Sequence, residues 1–105
     1  MGRSYRQRPT RLAAKLHEVR IQMGITQEQM IERLGRVASA LYPASISQYE
    51  SGKREPPLPV LLQYARLAGI PVDMLIDDEQ DLPERLPSMM GHQLVWKLIR
   101  TPRRL

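Results

Sequence analysis

The sequence predicts an all-α fold, a compact bundle of five short helices, and three observations lead to it. Apolar residues recur at helical spacing between residues 12 and 76. Gly24, Gly35, Gly52 and Gly69 each stand just after one of these apolar-periodic segments, where a chain leaving a helix favours a residue free to adopt positive φ. Leu, Ile, Met and Val supply the candidate core and Phe is absent from the 105 residues, a composition that suits helices better than a β-rich domain. A chain of this length has room for one core.

Residues 1–10 read as a basic arm, because Arg3, Arg6 and Arg8 stand among polar residues and Pro9 with almost nothing to bury. Thr10 is placed to cap a first helix, in which Leu12, Leu16, Val19 and Met23 form one stripe before Gly24. A second helix opens on a capping box. The Thr26 hydroxyl can accept the N–H of Gln29 while the Gln29 side chain reaches back, and Met30, Ile31 and Leu34 then face inward as far as Gly35. A third helix runs from Pro43, which needs no N–H partner in a first turn, to Ser51 before Gly52, with Ile46, Tyr49 and Glu50 inward. Val60, Leu61, Tyr64, Ala65 and Leu67 mark a fourth, stopped by Gly69. Leu75 and Ile76 return to the core from a short fifth around residues 72–77. These helices make a domain over residues 11–77. Residues 78–88 are acidic and contain Pro83 and Pro87, so they read as a linker with only Leu82 and Leu86 to bury. Residues 89–105 form an amphipathic basic tail, where Leu94, Val95, Leu98 and Ile99 recur at the spacing of a short extra helix.

Net charge is +5 and unevenly spread. Arg3, Arg6, Arg8, Arg11, Lys15 and Arg20 face a single Glu18 in the first twenty residues, whereas Asp73, Asp77, Asp78, Glu79, Asp81 and Glu84 cluster later. A basic end toward a polyanion and an acidic end away from it is what nucleic-acid binding favours. Other classes recede. Without cysteine there are no disulfides and no thiolate metal sites, and His17 and His92 have no partner ligands at metal-binding spacing. No nucleophile with a neighbouring base and no phosphate-cradling glycine loop occurs, so neither an enzyme nor a cofactor is expected. With no apolar run long enough for a membrane span or a signal peptide, the expected location is the cytoplasm.

The segments VRIQMGITQEQMIERLG, ISQYESGKREP and LLQYARLAGIPVDMLI, taken in order, resemble the phage-repressor-like helix-turn-helix family, which includes the lambda and Cro/C1-type repressors and the Xre regulators. The resemblance covers Leu12 to Ile76 and implies a sequence-specific regulator of duplex DNA, a repressor, bacterial or phage-encoded and associated with the nucleoid. It implies that Arg20 pairs with Glu50 beneath the motif. It also implies that Gln27 binds a phosphate at a helix N-terminus, with Lys53 and Arg54 as a second set of backbone contacts. Helical geometry with Ile46 inward places Ala44 and Gln48 outward and Ser45, Ser47 and Ser51 on the flanks. Gln48 can bond adenine N6 and N7 together, Ser45 and Ser47 can serve several bases, and Ala44 or Pro43 can touch only a thymine methyl. Arg3, Arg6 and Arg8 can follow a minor groove.

One departure from the family lies within residues 36–42, where the chain is about five residues longer than the usual turn. The stretch either lengthens the turn or extends the second helix, and Arg36 at its start can meet a phosphate. The family resemblance implies a homodimer on a palindromic operator, joined near Ile70 to Ile76. A reading of another class is an interaction module, the antitoxin of a toxin–antitoxin pair, whose tail from Met89 binds a partner protein.

Overall fold

The computed structural model describes residues 7–90. It contains five helices, α1 (Leu12–Met23), α2 (Gln27–Leu34), α3 (Pro43–Ser51), α4 (Leu58–Ala68) and α5 (Asp73–Ile76), with 3-10 turns at Gly35–Ala38 and Pro87–Met89. No strand occurs among the described residues. The fold is the all-α bundle that the periodicity predicts.

The apolar stripes converge on one core. Leu16 and Val19 of α1, Met30 of α2, Ile46 of α3, Tyr64 of α4 and Leu75 of α5 are all fully buried in it. Each side chain of this kind stabilises the fold by about 1.5–3 kcal/mol relative to exposure. Ile76, expected inside, stands 43% exposed, because the single turn of α5 can turn only one of two adjacent side chains inward and Leu75 takes that place. Met23, Ile31 and Leu67 are partly buried at the rim of the core.

The additional residues before α3 lengthen the connection rather than the α-helix. Gly35, at φ +72°, ends α2, and the 3-10 turn that follows sends Ala38 inward, 2% exposed, with Leu41 packed against the core. The two apolar anchors fix the path of the chain into α3.

At the other end, the acidic segment expected to be a linker lies against α1 as a strap. Lys15 is buried, and its ammonium donates to the carbonyls of Met74 at 2.8 Å, Asp77 at 2.8 Å and Gln80 at 2.6 Å, which uses all three of its N–H groups. Burial pushes the Lys15 pKa down. Thr10 does not cap α1 as expected. Arg11 holds the cap position, and the Asp78 carboxylate accepts the N–H groups of Thr10 and Arg11, both at 2.9 Å, together with the Thr10 hydroxyl at 3.0 Å. A carboxylate is favoured at a helix N-terminus, where unpaired N–H groups converge. Those N–H bonds hold Asp78 below the usual carboxylate range. Arg11 also reaches Asp81 at 2.6 Å.

Further along, the N–H of Leu86 donates to Gln22 Oε1 at 3.0 Å, and the Leu86 side chain is fully buried. The chain then passes so close to Gly69 that a Cβ there would meet the backbone nitrogen of Ser88 at 3.0 Å, while φ at Gly69 is +79°, so the position favours glycine on both counts. The strap alters the charge layout expected from sequence. Arg11 and Lys15 are engaged by the acidic segment, so the basic and acidic ends partly meet instead of facing apart.

Candidate nucleic-acid interface

Two helices set the geometry of the interface. The capping box opens α2, with Gln29 N–H on Thr26 Oγ1 at 3.0 Å and Thr26 N–H on Gln29 Oε1 at 2.9 Å. This satisfies two donors that the first turn would otherwise leave open. Helix α3 packs on both α1 and α2. Its inward residues are Ile46, fully buried, Tyr49, 1% exposed, and Glu50, whose side chain is 6% exposed.

Arg20 and Glu50 form a two-pronged pair. Arg20 Nε donates to Oε2 at 2.7 Å and Nη2 to Oε1 at 2.9 Å, while Nη1 donates to the Ile25 carbonyl at 2.9 Å. The planar fork therefore joins α1, the α1–α2 turn and α3 in one arrangement. Two further groups reach Glu50 Oε1, His17 Nδ1 at 3.0 Å and Gln27 Nε2 at 3.4 Å. Burial pushes the Glu50 carboxyl up, but the bonds from Arg20 and His17 outweigh it and hold the group below its ordinary value. The same carboxylate keeps the Arg20 guanidinium above its own.

Ala44 and Ser47 are exposed and Gln48 is half-buried, one outward row at helical spacing. Ser45, expected on the flank of this row, is not available to a base. It is 8% exposed, and its hydroxyl accepts the Tyr42 N–H at 3.2 Å, because a residue in the first turn of α3 lies where it can close the N-terminus. Gln48 Oε1 accepts from Arg54 Nη1 at 3.4 Å, a long bond that leaves the amide N–H groups and a second lone pair on the oxygen open.

Beyond Gly52, the N–H groups of Lys53 and Arg54 both donate to the Gln48 carbonyl, at 2.9 and 3.2 Å. The helix end thus ties down the loop backbone while both side chains remain exposed. Arg54 lies 6.0 Å from the centre of the Tyr49 ring, and with exposed Arg8 it lines a cleft of about 250 Å³. Arg36 is exposed in the 3-10 turn, and Gln27, half-buried, sits at the head of α2. Arg3 and Arg6 of the arm, and the tail beyond Met90, lie outside the described residues.

Two residues escaped the sequence reading. His17 lies three before Arg20 and so shares its face of α1, a spacing that pointed to Glu50 once Arg20 was assigned there. Tyr42 precedes Pro43 and stands 71% exposed at the head of α3. Among the described residues no cluster of His or carboxylates is arranged to hold a metal ion, and no helix is long and apolar enough to cross a membrane.

A five-helix bundle in which α2 braces an outward-facing α3, with cations in the loop behind it, defines a helix-turn-helix unit. The model of the helix-turn-helix family of phage-repressor-like proteins matches residues 16–75, more than half of the chain, and the protein belongs to that family of DNA-binding regulators. No curated protein and no solved structure matches the chain.

Proposed function

We propose that the protein is a repressor that reads duplex DNA with α3 in the major groove and binds a palindromic operator as a homodimer. The observation that carries this reading is the outward row Ala44, Ser47 and Gln48 on a helix whose back is locked to α1 through Arg20 and Glu50. A helix held this firmly can present its polar side chains to base edges at small entropic cost. Gln48 reads an adenine, and Ser47 and Ala44 contact neighbouring bases. Gln27, Lys53, Arg54 and Arg36 meet phosphates, and Arg3, Arg6 and Arg8 follow the adjacent minor groove. His17 supports Gln27 in this role, because it gives Glu50 Oε1 a closer partner when Gln27 turns to a phosphate.

Dimerisation is supported by an apolar face on α4 and α5. Leu58, Leu62 and Ile76 stand 78, 41 and 43% exposed around a cleft of about 420 Å³ that Pro59 and Val72 complete. In the proposed dimer a second copy covers this face, and the two α3 helices meet half-sites about one DNA turn apart. The reading places the protein in the cytoplasm, at the nucleoid.

The test is enrichment of bound duplexes from a random pool, followed by band-shift titration and sedimentation. A palindromic sequence bound by a dimer supports the proposal, with Ile76→Glu shifting the protein to monomers and weakening binding. Enrichment of no sequence at all would count against it.

A further inference from the structure

The longer connection before α3 brings an aromatic ring to the head of that helix. Ala38 and Leu41 anchor the approach in the core, and Tyr42 then takes the position just before the first turn. Its backbone is held from both sides. The Tyr42 N–H donates to Ser45 Oγ at 3.2 Å, and its carbonyl accepts from the N–H groups of Ser45 at 2.8 Å and Ile46 at 3.4 Å. The side chain, by contrast, is 71% exposed, and Pro43 and Ala44 beside it are exposed as well. The leading end of α3 therefore carries a phenol ring, a pyrrolidine ring and a methyl group on a fixed backbone, with no charged side chain among the three. One turn further on, Ser47 and Gln48 supply the polar groups.

We infer that Tyr42, with Pro43 and Ala44 beside it, recognises the 5-methyl group of thymine in the major groove. The inference rests on the reading that α3 enters that groove, and it assigns a specificity determinant to Tyr42, the last residue of the lengthened connection. The thymine methyl is the one apolar group that standard base pairs present on the major-groove side, so the carbon faces of the two rings and the Ala44 methyl have a single apolar complement there. Gln48 and Ser47 then read hydrogen-bonding edges, while Tyr42 separates thymine from cytosine at a neighbouring pair. Burying one methyl group corresponds to about a fourfold change in affinity, which sets the size of the expected effect.

The test uses the full chain and the duplex enriched from the random pool, with each thymine replaced in turn by deoxyuracil, which removes only the methyl group. Wild type and Tyr42→Phe are expected to lose about fourfold in affinity at one or two thymines of each half-site. Tyr42→Ala, its helical circular-dichroism signal unchanged, is expected to lose most of this sensitivity at one of those thymines. Equal binding of both duplexes by wild type would overturn the inference while leaving DNA binding itself intact. Uracil sensitivity that persists undiminished at every thymine in Tyr42→Ala would overturn it too. A Tyr42→Phe loss as large as that of Tyr42→Ala, without uracil sensitivity, would assign the hydroxyl to a phosphate instead. Failure to bind any duplex would remove the parent reading and this one together.

Discussion

Two cations of α1 are drawn out of water, Arg20 toward α3 and Lys15 toward the strap, and they are satisfied differently. Arg20 meets a full opposite charge through a planar fork, with its side chain 12% exposed and that of Glu50 6% exposed. Lys15 meets three carbonyl dipoles from α5 and the turns after it, with carboxylates near but not bonded to its ammonium. A fork pairing with a carboxylate fixes direction as well as distance, so it specifies how α3 sits on α1. An ammonium among carbonyls fixes position alone, which is enough to hold a strap. Helix α3 and the strap therefore differ in how much depends on one side chain.

The comparison breaks most sharply at Glu50. Glu50→Ala strands Arg20 in a nearly dry site and is expected to cost about 3–5 kcal/mol in urea unfolding, a large part of the stability of a domain this small. A double-mutant cycle with Arg20→Ala should recover much of that loss, and independent effects would mean the pair couples nothing. Lys15→Met should cost less, about 1–3 kcal/mol, because the freed carbonyls lie near the surface and can rehydrate. In that variant amide exchange should quicken over residues 78–86 and stay slow in α3. Equal quickening in both regions would show that the strap and α3 are one unit.

Smaller effects sharpen the contrast on the outer surface. Lys53→Ala and Arg54→Ala should each weaken DNA binding by a similar factor for all sequences and lower the salt slope by about one. Asp78→Asn should have the smallest effect of these variants, fully present at neutral pH and vanishing in acid. The folded-state pKa values of Asp78 and Glu50 both lie below their ordinary values, so each contribution is complete above the usual carboxylate range and disappears as pH falls through the lower folded value. Thermal midpoints measured from neutral pH into acid should fall more gently for Asp78→Asn than for wild type.

The same contrast separates what the sequence revealed from what it hid. Periodicity and glycine placement exposed the five helices because those signals are local, and the Thr26 and Gln29 cap was legible for the same reason. The family resemblance supplied Arg20 and Glu50, whose meeting across 30 residues no periodicity encodes. The strap was missed because its bonds join α1 to residues 59–70 positions away, and charged residues with prolines look like a solvated linker when only neighbours are considered. Ser45 was misplaced because a helical wheel treats every turn alike, whereas the first turn draws hydroxyls toward the backbone. Tyr42 was passed over as part of the longer turn, although its place beside Pro43 put it at the head of α3.

Whether α3 reads bases, as proposed, is tested most directly by Gln48→Ala on the enriched operator and its single base-pair substitutions. The predicted result is loss of discrimination at one A·T pair in each half-site, with other preferences and the salt slope unchanged. Loss of affinity by the same factor for every duplex would contradict it.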